Sequence, residues 1–199
     1  MARTKLSDEL KEAISQLSDK EKDKLLYRLV AKDGILAEQL YYQLIEGGED
    51  PAFRREDLLR ELEEELDTTA RHFQSPGFLL LNLRDISGQI NRHVRITKDR
   101  YGEVLLNLYM INGTFERLGP DLTTFDARKS RSLDNYLVKR AIKLLKLIKR
   151  LHEDLWLDFQ DDFRLLGENI QQQETTARMA EVLGLDLRWL KQMDPPEYM

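Results

Sequence analysis

Residues 132–167 read SLDNYLVKRAIKLLKLIKRLHEDLWLDFQDDFRLLG, with no glycine or proline between Ser132 and Gly167. Leu137, Ala141, Leu144, Ile148, Leu151, Leu155, Phe159, Phe163 and Leu166 recur at steps of three and four, the period of one face of an α-helix. Val138, Ile142, Leu145 and Leu147 widen the apolar arc around the first half, as in a helix packed by neighbours on two sides. The spacing predicts one long helix in the C-terminal half. The 34 residues between Ser132 and Gly167 would extend about 51 Å at 1.5 Å each, whereas a globule of this chain length is about 42 Å across. Either the helix breaks or the molecule is elongated.

Working outward, the same period recurs with matching punctuation. The chain has 199 residues, of which 36 are Leu and only 15 are Val or Ile. Leucine keeps its rotamer freedom on a helix and β-branched residues do not, so this ratio disfavours sheet. Ser18 and Glu21 have the spacing of a capping box, opening a helix with Leu25, Leu26, Leu29 and Val30 that stops near Gly34. Leu36, Leu40, Tyr41 and Leu44 follow, ending at Gly47-Gly48. Asp50-Pro51 and Ser75-Pro76 each read as an N-cap followed by proline in the first helical position, where no N–H is needed. Leu59, Leu62, Leu66, Ala70 and Phe73 form the next stripe. Thr97 is a candidate cap for a helix carrying Tyr101, Val104, Leu105, Leu108, Ile111, Phe115 and Leu118, closed by Gly119-Pro120. The short apolar runs 78–83 and 90–96 fit helix or strand alone and are read as helix from their context.

The expected fold is therefore all-α, either an irregular multi-helix bundle or a short α-α superhelix. Candidate helix pairs begin near Ser18, Pro51, Thr97 and Ser132, a spacing that suits stacked pairs, although no residue-level repeat accompanies it. The expectation is a single all-helical domain over residues 1–199, with candidate lobes 1–119 and 132–199 joined by a loop at 120–131.

Charged residues make up 34% of the chain, and 31 Lys+Arg against 36 Asp+Glu leave a net charge of −5. That balance argues against a general nucleic-acid coat. The absence of cysteine excludes disulfide scaffolds, thiolate metal sites and cysteine nucleophiles. The opening MARTKLSDEL lacks the apolar core of a signal peptide, and no apolar run is long enough to span a bilayer. A soluble, cytoplasmic protein with no membrane span is expected.

Charge is unevenly distributed. Arg128 to Arg150 holds nine basic residues and one acid, Asp134, whereas Leu151 to Glu168 holds six acids and one base, Arg164. Lys139, Lys143, Lys146 and Arg150 step by four, three and four, which places them on one helix face opposite the apolar stripe. Such a face suits a phosphate backbone, anionic lipid headgroups or an acidic partner, and it is equally what a solvated helix side looks like. The switch from basic to acidic also fits antiparallel pairing of two copies, a homodimer.

The segment 175–193 resembles a helix-turn-helix unit at three positions, Ala180, Gly184 and Leu190: a small residue at a crossing, a turn glycine and an apolar anchor. Only Arg188, Lys191 and Gln192 would face DNA, beside Asp186 and Asp194. The alternative is a helix stopped at Gly184 and a short helix docked through Leu187, Trp189 and Leu190. Glu61, Glu63, Glu64, Glu65 and Asp67 make an acidic helix, but none of His72, His93 and His152 has a glutamate three positions before it, as helical metal sites use. His93, between Arg92 and Arg95, is expected at the surface, and His152 at a helix surface or core edge. Tyr41, Tyr42, Phe53 and Trp156 are candidate groove or interface aromatics, although cores use such residues just as readily and core packing is the expectation for each one individually. Phosphate loops, nucleophile elbows and zinc-helix motifs are missing from the sequence. The expectation is thus a non-enzymatic interaction or adaptor protein without cofactor or metal, self-associating or binding a protein partner. The alternative is a nucleic-acid-associated regulator using the basic face 139–150 or the segment 175–193.

Overall fold

The computed structural model describes residues 5–193 and 196. Every regular element among them is helical. Backbone contacts divide the chain after Glu49 into two compact units.

The first unit carries α1 (Asp8–Ser15), α2 (Asp19–Val30) and α3 (Gly34–Leu44). Each begins where a side chain takes up free N–H groups of its first turn. Ser7 accepts from Leu10, Asp33 accepts from Ile35 and Leu36, and Glu21 accepts from the Ser18 N–H at 2.9 Å as the capping box requires. Gly47 and Gly48 follow with positive φ, a conformation that glycine adopts without a Cβ penalty.

The second unit holds α4 (Ala52–Arg71), α5 (Pro76–Thr97), α6 (Arg100–Leu122), α7 (Ala127–Ile148), α8 (Gln160–Gln172), α9 (Glu174–Val182) and α10 (Leu187–Gln192). These helices form a bundle around α6, which packs against α4, α5, α7 and α8. Its position explains its composition: Val104, Leu106, Met110 and Ile111 are buried on different sides of one helix. On α7, Leu137, Ala141, Leu144 and Ile148 are buried as the stripe predicts, facing a helix surrounded by α5, α6 and α9. A single apolar core runs from Leu58 to Met193, with Leu118, Leu122, Leu133 and Leu137 contributing from both sides of residues 123–126. The stretch 120–131 shrinks to that short connection within the second unit.

Several expected boundaries move. Pro51 stands just before α4 rather than inside it, and Asp50 accepts from the Ala52 N–H at 2.8 Å. α5 runs through Thr97, so the cap of the next helix is Asp99, whose carboxylate accepts from the Gly102 N–H at 2.7 Å. α6 continues through Pro120 to Leu122. A proline in the last turn removes one intrahelical bond, while Leu118 and Leu122 bury on either side of it.

The largest correction concerns the long helix in the C-terminal half. It breaks after Ile148, and 3-10 turns at Glu153–Leu155 and Leu157–Phe159 lead into α8. His152 is extended there and accepts from the Asp154 N–H through Nδ1, as a cap does. Lys146, Lys149 and Arg150 gather at the negative end of α7, while Glu153, Asp154, Asp158, Asp161 and Asp162 crowd the starts that follow. The basic-to-acidic switch is the electrostatic mark of one helix ending and another beginning. No helix of the described residues is long and apolar enough to cross a membrane.

Candidate anionic-partner face

The basic residues of α7 lie opposite its buried stripe because a step of three or four residues keeps side chains on one helix face. Lys139 and Lys146 are exposed there, whereas Arg150, expected on the same helix face, is exposed in the turn beyond Ile148 because α7 ends before it; none of the three has a hydrogen-bond or ion-pair partner among the described residues. Lys143 differs: it is half-buried and its Nζ meets Glu103 Oε1 of α6 at 2.7 Å. Two other cations of the run are also engaged. Arg140 donates to Asn107 and lies over the Tyr136 ring, and Lys149 donates to the Pro196 carbonyl.

The bundle adds residues that helix periodicity alone did not reach. Where α5 ends and α6 begins, Lys98 and Arg100 project toward the C-terminal end of α7. With Val94, Glu103, Leu147 and Arg150 they line a pocket of about 460 Å³. Lys98 adopts a left-handed backbone conformation, φ 61°, which side chains other than glycine and asparagine rarely occupy. Arg100, exposed and without a partner among the described residues, stands at the first position of α6. A signal existed in the sequence, since Lys98 and Arg100 flank Asp99, but only the packing of α6 on α7 places them beside Arg150.

The turn that presents this wall is held from below. Asp99 is buried and gathers the Gly102 N–H, Arg55 Nη1 of α4 at 2.9 Å and His93 Nε2 of α5 at 3.2 Å. Burial alone would raise its carboxyl pKa, but hydrogen bonds from His93 and Gly102 and the Arg55 charge outweigh it and hold the group below its ordinary value. The Arg55 guanidinium also lies 5.1 Å from the centre of the Tyr101 ring, which packs on Phe159. His93 is therefore a buried structural residue, not a surface one. The reason is that its side chain faces α6, away from the neighbouring arginines.

A second surface is acidic. Between α4 and α5, Glu61, Glu64, Glu65 and Asp85 line a groove of about 640 Å³ with Thr68, His72, Phe78 and Gln89, and neither lysine nor arginine is among the lining residues. Gln89 donates to Glu65 at 2.6 Å. Glu63 and Asp67 sit outside that groove, Asp67 accepting from Arg117. No group of three His, Cys, Asp or Glu side chains among the described residues is placed to hold a metal ion.

The C-terminal segment has the helix, turn and helix order, with Gly184 at φ 71° between α9 and α10. Its cations are engaged locally: Arg178 with Glu174, Arg188 with Asp186 and Lys191 with Gln171. α10 spans six residues, buries Leu190 and packs on α8. Of the aromatics, Tyr42 is buried and Tyr41 exposed, Phe53 is exposed, and Trp156 is half-buried against the core. No family model, curated protein or solved structure matches this chain.

Proposed function

We propose that this chain is a helical protein-interaction module that binds an acidic segment of a protein partner through the basic side of α7. The observation that carries this reading is the exposure of Lys139, Lys146 and Arg150 with no ion-pair partner among the described residues. Unpaired charges in a row steer an oppositely charged partner and set its register. Lys98 and Arg100 extend the positive surface beyond α7. The net charge of −5 favours a short acidic peptide over a long polyanion such as duplex DNA, which the rest of the surface repels. The segment 175–193, with its cations bonded locally, supports the nucleic-acid alternative less than the α7 face does.

The test is fluorescence anisotropy with a labelled peptide rich in Glu and Asp. Binding at about 50 mM salt should weaken steeply by about 500 mM, and Lys139→Glu, Lys146→Glu and Arg150→Glu together should abolish it while the circular-dichroism spectrum is unchanged. Tighter binding of a DNA duplex than of the peptide overturns the reading in favour of a nucleic-acid partner.

The acidic groove between α4 and α5 supports a second reading, in which the partner is another copy of the chain. Its four carboxylates complement the α7 face in sign. Light scattering at low salt that reports a monomer at all concentrations removes this reading and leaves the first intact.

A further inference from the structure

We infer that the pocket between Lys98, Arg100 and Arg150 is a subsite for a phosphate group, carried by a phosphorylated side chain of the acidic partner. This rests on the reading above and adds the chemistry of one position within it. Three cations of three different origins converge on the pocket: the residue that caps the end of α5, the first residue of α6 and the turn after α7. The one carboxylate in its lining, Glu103, is already committed to Lys143 at 2.7 Å. The pocket therefore presents an uncompensated positive charge. A phosphomonoester carries close to two negative charges and three acceptor oxygens, and guanidinium groups match such oxygens with paired N–H donors. Arg100 and Arg150 have no partner among the described residues, so their donors are free to turn inward. Lys98 spends one ammonium proton on the Arg95 carbonyl at 2.8 Å and keeps two.

Two features favour a phosphorylated peptide over a nucleotide. The lining holds only Val94 and Leu147 as apolar residues and no aromatic ring on which a base would stack. The positive surface also continues from Arg150 along Lys146 and Lys139, as a chain with acidic residues beside its phosphate would need.

The experiment compares three probes by anisotropy on the full chain: a Glu/Asp-rich peptide with one phosphoserine, the same peptide with serine, and a single-stranded DNA of similar charge. The phosphopeptide should bind about tenfold more tightly than its serine form. Arg100→Gln, at an exposed position outside α7, should erase most of that advantage while leaving the serine peptide within about threefold of its original affinity, whereas Arg150→Gln, which also serves the α7 face, should weaken both peptides and the phosphopeptide more. Lys139→Gln should weaken both peptides equally. Equal affinity for the two peptides overturns the subsite and leaves the acidic-partner reading standing. Failure of both peptides to bind overturns both, and preference for the DNA overturns the peptide assignment. Unchanged thermal melting of each variant ties a loss of binding to the pocket and not to the fold.

Discussion

Arg55 on α4 and Asp99 at the head of α6 meet at 2.9 Å, although 44 positions separate them in sequence. The contact ties a helix outside the basic face to the turn that presents Lys98 and Arg100. Asp99 is nearly fully buried, so each of its partners compensates a charge that water no longer solvates. Arg55→Ala leaves that carboxylate with His93 and a backbone N–H alone. The variant should lose about 3 kcal/mol of stability, read as a lower urea midpoint. An unchanged midpoint would show that the pair contributes nothing.

The same carboxylate sets an acid limit. Its pKa is lowered in the fold relative to the ordinary value of 3.8, so the unfolded chain takes up a proton first as pH falls. The stabilisation it supplies is complete above 3.8 and disappears as pH drops through the lower, folded value. Urea midpoints of the protein should fall with pH in this acidic window, and Asp99→Asn should flatten that dependence. An equally steep fall in the variant assigns the effect to other carboxylates.

Asp134 on α7 behaves in the opposite sense. It is buried, and burial raises its pKa while hydrogen bonds from Thr176 and Thr175 only partly offset the cost. Thr176 donates to it at 2.8 Å. Here the folded state holds the proton longer, so the stability associated with this group is present below 3.8 and is lost as pH rises through the raised value. Asp134→Asn keeps an acceptor for Thr176 without the charge. It should gain about 1 kcal/mol at neutral pH and nothing in acid, measured by chemical denaturation at both pH values.

Gly102 permits the Asp99 cap. A Cβ there would press into the Asp99 carboxylate and come within 3.0 Å of Arg55 Cδ. Alanine is the better helix former by about 1 kcal/mol, yet Gly102→Ala should cost about 2 kcal/mol net because it displaces a buried cap and its partners. A higher melting temperature in the variant would show that propensity outweighs the cap.

Glu103 restrains Lys143. Removing its charge in Glu103→Gln frees that ammonium for the basic face, and the affinity for an acidic peptide should rise about threefold. Unchanged or weaker binding would place Lys143 outside the surface that meets the peptide.

The leucine spacing determined that this chain is helical, because a period near 3.6 puts apolar side chains on one face whatever packs against it. It also placed Lys139, Lys143 and Lys146 on one side of α7, since that depends on one helix alone, while Arg150 falls in the turn past its end. The break after Ile148 was written in the sequence as the change from Lys149-Arg150 to Glu153-Asp154, which local charge–dipole preference explains. What the chain order could not supply was the neighbourhood of each face. Glu103 beside Lys143, Lys98 and Arg100 beside Arg150, and His93 turned inward to Asp99 all join residues on different helices. Such contacts are settled by how α4, α5 and α7 pack around α6, where burial of Leu62, Leu83, Ile111 and Leu144 fixes the rotation of each helix and carries the polar residues with it.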